Sequence, residues 1–495
     1  MANILIIDHH QAQRVELMNI FSKLKHTPTE AWDGSNAAHK TDQIKYDLII
    51  TSAEITKLTI VDFIKSLRIG KMNRQTPVII YAKAFDEALI TNLGRFSRIQ
   101  YVHLPIDGAS LAAKVTVTFK ASEAVTREQG VQKKVYTFSK ASLEKCNKAP
   151  TSALEADFFR FFPDMLSQID PATVNFGVWL KGTNELLEYI GEKFTGPENE
   201  KNAADISGAL KRANVGLEIY IRIADKEKFY AHMQKKRMAH LGSKNLQDSN
   251  REAAEIFNKL TMCSARFNAA DVDQKIVTSA EQISVDMMQR LSDKPDLMSM
   301  LIDLLRKDPG MFDFIALVTI TAVSIGQRLG LKDIVLKKLS LGCFFHDIGL
   351  AILNMPLIID REMTADEVNV YKDHPSAGAD HVNLLEVKGI NLPEEVFIII
   401  MQHHEKFNGT GFPNQKQGRM SKENPTGIHL LAAIVAVADR FAVYLLNEAK
   451  NGTIDQARIV AAMHRLTGEF DPDVLKALKE VFATTRKGTV NWKPT

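Results

Sequence analysis

The chain has 495 residues, 45% of them hydrophobic and 24% charged, the proportions of an ordinary folded protein long enough for about three domains. Lys and Arg (62) nearly balance Asp and Glu (59), which argues against a dedicated nucleic-acid binder and against a chain dominated by disorder. The three cysteines, Cys146, Cys263 and Cys343, lie too far apart in sequence for a disulfide framework or a paired-cysteine metal site, and the longest apolar run, Leu430–Ala438, is well short of the roughly 20 residues that cross a bilayer. A cytoplasmic protein with no membrane insertion and no signal peptide is expected.

Residues 1–120 alternate strand and helix signals. Ile4–Ile7, Tyr46–Thr51, Pro77–Tyr81 and Tyr101–Leu104 are short β-rich runs, and Gln11–Leu24 has helical apolar spacing through Val15, Met18 and Phe21. Short buried strands separated by helices predict a parallel α/β sheet. The segments ILIIDHH, YDLIIT, TPVIIYAKA and YVHLPID resemble the strand ends of a two-component receiver domain, which is flavodoxin-like. Such a domain uses an acidic pocket for Mg²⁺, an Asp that takes phosphate, a Thr or Ser, and a Lys before Pro. Here Asp8 is present, but His9 follows it, Ser52 falls on the phosphoacceptor position, Ala82 on the Thr position, and Leu104 precedes Pro105. The resemblance therefore implies a pseudo-receiver with no phosphoacceptor, serving docking or dimerisation. His9 and His10 are read as surface residues rather than metal ligands.

Residues 121–155 are polar and read as a helical extension and linker. Residues 156–240 read as a small α+β domain, with a hairpin from Phe176–Leu180 and Glu185–Ile190, helices at Ile206–Ala213 and Asp225–Lys236, and a strand at Glu218–Ile223. It resembles the regulatory domain found ahead of the catalytic domain in some HD-GYP proteins. The basic run Lys235-Lys236-Arg237 reads as a solvated helix end. Residues 252–490 show helical spacing nearly throughout, interrupted at Asp308-Pro309-Gly310, Asn391-Leu392-Pro393 and Asn408–Pro413, so an all-α domain is expected. Met287, Met288, Met298 and Met300 read as a helix interface.

Five of the 14 histidines fall between His346 and His404. They come with carboxylates: His346-Asp347, His374, His403-His404-Glu405, and then Asp439. Imidazole with carboxylate is a ligand set for Fe, Mn or Zn. The His-Asp pair is embedded in apolar sequence, Cys343-Phe344-Phe345 before it and Ile348 after it, where a carboxylate needs a cation or partner. Neighbours on a helix point about 100° apart, so His346 and Asp347 can reach two adjacent ions, as can His403 and His404.

The segments FFHDIGL, YKDHPSAG, IIMQHHEKFNGTGFP and AAIVAVADRFAV resemble the HD-GYP domain of the HD phosphohydrolases, over about residues 285–485. The resemblance implies hydrolysis of cyclic di-GMP to pGpG or GMP with divalent metals. Two ions, Fe or Mn, are expected here. The ligands it implies are His346, Asp347, His374, His403, His404 and Asp439, with His346 and Asp347 as the catalytic pair and Asp347 bridging. Asn408, Gly409, Gly411, Phe412 and Pro413 would form the substrate loop.

The departures from the family fall on the chemistry. Phe314 occupies the position of a metal-binding His, and Gly310 and Ala442 the positions of acids for a third metal. Leu350 replaces a phosphate-binding Lys, Asn408 an Asp, Phe412 the Tyr of GYP, and Glu448 a phosphate-binding Arg. Losing two cations beside a dianionic nucleotide weakens its attraction. Two readings follow: a cyclic di-GMP phosphodiesterase, or a catalytically degenerate HD-GYP protein acting as nucleotide sensor or protein scaffold. Cyclic di-GMP or a related nucleotide is the expected ligand under both. Signalling proteins and a second copy in a homodimer are compatible partners.

Overall fold

The computed structural model describes residues 2–70, 72–74, 76–84, 98–105, 147–150, 157–160, 169–181, 185–210, 218–242, 248–294, 296–307, 313–353, 362–466 and 468–483, with isolated positions between them. Cys146, most of the expected linker and the Asp308-Pro309-Gly310 break lie outside these residues. The chain divides into two units, each built from distant stretches: 1–130, 372–437 and 462–477 form one, and 131–371, 438–461 and 478–495 the other.

In the first unit, five strands, β1 (Asn3–Ile7), β2 (Thr27–Ala31), β3 (Leu48–Ser52), β4 (Val78–Ala82) and β5 (Ile99–His103), make a parallel sheet in the order β2-β1-β3-β4-β5. This is the doubly wound, flavodoxin-like order that the resemblance implied. Strands β1, β3 and β4 are apolar because helices cover both sheet faces: Ile4, Ile6, Leu48 and Ile79 pack on one side, and Leu5, Ile7, Ile49 and Ile80 on the other. Strand β2 (TPTEA) has no such run. It lies at the sheet edge, mostly half-buried, so its sequence carries little strand signal.

Helix α1 (Gln11–Lys23) corrects the expected face. Arg14, Leu17 and Phe21 are its buried residues, and Val15 is 49% exposed. Arg14 can be buried because its guanidinium donates to Glu30 and to the Asp8 carbonyl. Ser52 and Ala82 end β3 and β4. The Asp8 carboxylate accepts from the Tyr81 hydroxyl at 2.5 Å and from the His10 amide at 2.7 Å.

In the second unit, an antiparallel sheet has the order β6-β9-β8-β10-β7, from β6 (Lys148–Pro150), β7 (Phe158–Arg160), β8 (Val178–Lys181), β9 (Glu185–Ile190) and β10 (Ile219–Arg222). The hairpin and the strand before Ile223 are where the sequence puts them. Lys148–Pro150, expected in the linker, is an edge strand instead. The helices Gly196–Leu210 and Lys226–Gly242 complete this α+β module. The run Lys235-Lys236-Arg237, expected at a helix end, lies inside the helix Lys226–Gly242, where Lys236 donates to the Ile169 carbonyl and Lys235 is exposed.

Helices from Asp248 onward confirm the all-α reading, and Met287, Met288 and Met298 are buried in them. The Asn391-Leu392-Pro393 break separates the helices Ala365–Val387 and Glu394–Gln402. The helix segment Leu430–Ala449 is long and apolar enough to cross a membrane by composition, but 67% of its apolar stretch is buried in the protein, as in a core helix.

His381, half-buried on the Ala365–Val387 helix, is pushed down to about 4, first by desolvation and then by Lys388 and Arg74. The unfolded imidazole titrates near 6.5, so its stabilising contribution is full above that pH and is lost as pH falls towards 4. Melting temperature should therefore drop through this window, and His381→Asn should flatten the dependence by up to about 1.4 kcal/mol per pH unit. Superimposable pH profiles of the two proteins would refute this.

Candidate metal centre

The helix Asp333–Phe345 ends on packed aromatics: Phe267 stacks on Phe344 at 5.1 Å and meets Phe345 edge-on at 4.8 Å. His346 follows as the C-cap residue, fully buried. Its Nδ1 donates to the Cys343 carbonyl at 2.6 Å, one of the carbonyls a helix end leaves without an intrahelical partner. That bond fixes the ring and turns Nε2 towards Asp347 Oδ2 at 3.2 Å and Asp439 Oδ1 at 3.8 Å. Asp347 starts the turn into the short helix Ile348–Leu353, and Asp439 comes from the middle of the Leu430–Lys450 helix. His346 and Asp347 thus occupy a corner between two helices, not successive positions inside one.

Burial by itself would lower the His346 imidazole, but Asp347 and Asp439 outweigh it and hold it up at about 10. Burial, then Asp439 and Asp347, also push the Tyr371 hydroxyl far upward, so it stays a neutral phenol in the same environment.

In the other unit, His374 lies on the Ala365–Val387 helix, and His403 and His404 follow the Glu394–Gln402 helix. His403 Nδ1 lies 3.1 Å from the Ile399 carbonyl and 2.9 Å from that of Ile400, again at a helix end. Its Nε2 is left 3.1 Å from His374 Nε2. The His374 and His404 rings stand at 88° with centroids 4.9 Å apart. Ligand atoms on one ion with bonds near 2.0–2.1 Å lie roughly 2.9–3.4 Å apart, so the His374–His403 separation is that of neighbouring ligands.

The two groups His374–His403–His404 and His346–Asp347–Asp439 are thus each brought together with donor atoms within 4.8 Å of one another. Imidazoles and carboxylates, mostly buried, fit a divalent transition metal. Asp8, His9 and His10 make a third group within that distance, but both histidine rings are exposed.

The loop after His404 is built around Glu405. This buried carboxylate accepts from the Asn414 amide at 2.7 Å and the Lys416 amide at 2.8 Å. Burial pushes it up to about 7 against the pull of those amides. A Cβ at Gly411 would meet Lys406 N at 2.2 Å and the His404 carbonyl at 2.6 Å, so only glycine allows the loop to close over His404. Gly409 has φ +81°, and Asn408 accepts from the Thr410 amide and hydroxyl. Phe412 stacks on His404 with centroids 4.8 Å apart. The residue at the Tyr position therefore walls the histidine group.

Phe314 is buried with its ring 6.0 Å from that of His346. Leu350 lies in the hydrophobic cluster with Ile169, Ala265 and Met355. Glu448 accepts from the Asp455 amide and from Arg458, so the reversed charge has a local partner. Ala442 is buried, and Gly310 lies outside the described residues. Sequence reading quoted Tyr371 and Glu405 inside motifs without giving either a role. For Glu405 the signal was its place directly after two histidines and before a glycine-rich loop.

Residues 287–474 match the HD domain family. The chain is 26% identical over 217 residues to the cyclic di-GMP phosphodiesterase response regulator RpfG of Xanthomonas campestris, covering 43% of this chain and 53% of that protein. It is 24% identical over 236 residues to a cyclic di-GMP phosphodiesterase of Pseudomonas aeruginosa, covering 45% of this chain and 53% of the relative. The chain thus spans about half the length of these curated relatives. Among solved structures, an HD-GYP-type protein from Bdellovibrio bacteriovorus aligns at 18% identity, covering 66% of this chain and all of that one, with a TM-score of 0.42. The chemotaxis protein CheY4 of Vibrio cholerae aligns at 18% identity, covering 24% of this chain and 98% of its own, with a TM-score of 0.23.

Two substitutions test this geometry. Phe314→His adds a donor beside His346 and should tighten metal binding on the order of 10-fold, as read by competition with a chelating dye. Glu405→Ala removes the acceptor of two amides, each such charge-assisted bond contributing about 1.5–3 kcal/mol. Amide exchange at Asn414 and Lys416 should accelerate at least about 10-fold, while the amides of β1 to β4 stay unchanged.

Proposed function

We propose that this chain, whose residues 287–474 form an HD domain behind an N-terminal receiver-type fold, is a metal-dependent phosphodiesterase acting on cyclic di-GMP. The observation that carries this reading is the pair of donor groups, His346–Asp347–Asp439 and His374–His403–His404, each drawn together within its own unit. We assign these six residues as ligands that would hold two divalent ions, Fe or Mn, with His346 and Asp347 as the catalytic pair. When bound, such ions activate water and neutralise the oxygens of the phosphoryl group under attack.

The chain's own residues set the conditions. The Cys343 carbonyl keeps the His346 proton on Nδ1, so Nε2 would be the atom that holds an ion. Tyr371, raised by burial and by Asp439 and Asp347, remains a neutral phenol in this environment. Asn408, Gly409, Gly411, Phe412 and Pro413 form the loop beside the substrate, closed by Glu405. With Leu350 and Glu448 at the two cation positions, affinity for the dianion is expected to be low and turnover slow.

A second reading, a nucleotide sensor or scaffold without hydrolysis, is favoured by Leu350, whose place in a hydrophobic cluster leaves that position no route back to a phosphate contact. Both readings give a cytoplasmic signalling protein able to pair with protein partners or a second copy of itself.

Turnover of cyclic di-GMP by protein loaded anaerobically with Fe²⁺ or Mn²⁺ decides between them. Formation of pGpG or GMP is expected, abolished in the His346→Ala/Asp347→Ala protein. No product from protein shown to carry metal would overturn the hydrolase and leave binding without hydrolysis.

A further inference from the structure

The receiver-type sheet has lost the residues for phosphoryl chemistry at the C-terminal ends of its strands, where doubly wound folds bind ligands. The opposite, N-terminal edge carries a basic group. Arg74 precedes β4, Arg98 precedes β5, and Lys65 and Arg68 lie on the helix Ile60–Ile69. These cations meet the acidic side of the helix that bears His374. Arg98 Nη2 lies 3.8 Å from Asp373, Arg74 Nε 3.5 Å from Asp380, and Lys65 Nζ 3.5 Å from Glu386. Asp373 and Asp380 are two helical turns apart and share one face.

This is more than a surface contact. Arg68 is 1% exposed and Asp380 2%. Arg68 donates to the carbonyls of Arg74 and Thr76 and so fixes the segment that presents Arg74. Burial pushes Asp380 up, and Arg68, Arg74 and Arg98 pull it back down. An apolar contact supports the charges independently: Met420, from the loop that follows His404, packs against the receiver-type core with Phe63, Leu67 and Ile99. Burying charges is costly, and an apolar joint would be easier to build. Unlike an apolar joint, paired charges admit one register.

We propose that Arg68, Arg74 and Arg98 of the receiver-type domain, with Asp373 and Asp380, are positioning residues for the metal centre: they clamp the helix in the register that places His374 beside His403. The domain acts through this edge, and phosphorylation plays no part. The proposal rests on the reading of His374 as a metal ligand.

The test uses the full chain, with Mn²⁺ affinity measured by equilibrium dialysis and folding checked by circular dichroism and melting. Asp380→Asn and Arg74→Asp should each weaken Mn²⁺ binding on the order of 10-fold while the chain stays folded. The exchanged pair Arg74→Asp/Asp380→Arg should recover most of the loss, which a general loss of packing would not. If that pair fails to fold, the cycle of Arg74→Gln and Asp380→Asn replaces it, and losses that fail to add carry the same meaning. Folded single variants with unchanged affinity, an exchange without recovery, or additive losses in the cycle would overturn the clamp. His374→Ala separates the two claims: if it binds Mn²⁺ like the unaltered chain, His374 is no ligand and the reading beneath the clamp falls first.

Discussion

Each of the two donor groups depends on an imidazole N–H tied to main-chain carbonyls at a helix end. His346 donates to Cys343, and His403 to the Ile399–Ile400 carbonyls. A helix leaves its last carbonyls unsatisfied, and its C-terminus carries partial negative charge. One bond therefore satisfies an orphan acceptor, selects the tautomer and aims Nε2, while the helix end favours a cation nearby. The remaining donors are arranged around those two fixed nitrogens.

The substitutions relative to the HD-GYP pattern have local structural consequences. Phe314 fills space beside His346, Leu350 joins a hydrophobic cluster, and Glu448 holds a helix-end turn through Asp455 and Arg458. Each of these residues has a packing or capping role. The six imidazoles and carboxylates His346, Asp347, Asp439, His374, His403 and His404, by contrast, are present and gathered into two groups of donor atoms.

The receiver-type domain shows the same separation between fold and chemistry. Its strand order and two-sided core are intact, while Ser52, Ala82 and Leu104 stand where reactive or charged residues would be. Its charged edge, by contrast, carries the ion pairs Arg98–Asp373, Arg74–Asp380 and Lys65–Glu386.

The sequence by itself determined most of the element types and the candidate ligand residues. Continuous apolar runs such as LIIT and VIIY can only be strands covered on both faces, and a His-Asp pair in apolar sequence demands compensation. It did not reveal β2, whose polar edge position leaves no pattern, nor the strand at Lys148–Pro150, too short to show one. It misjudged α1, because burial of Arg14 depends on acceptors at Asp8 and Glu30 contributed by other strands. Only the tertiary structure decided that His346 and Asp347 sit at a helix corner, that Glu405 closes the loop, and that Asp380 lies among three arginines. Local pattern reports which face a segment buries. Hydrogen-bond and ion-pair partners far apart in sequence exist only once the chain has folded.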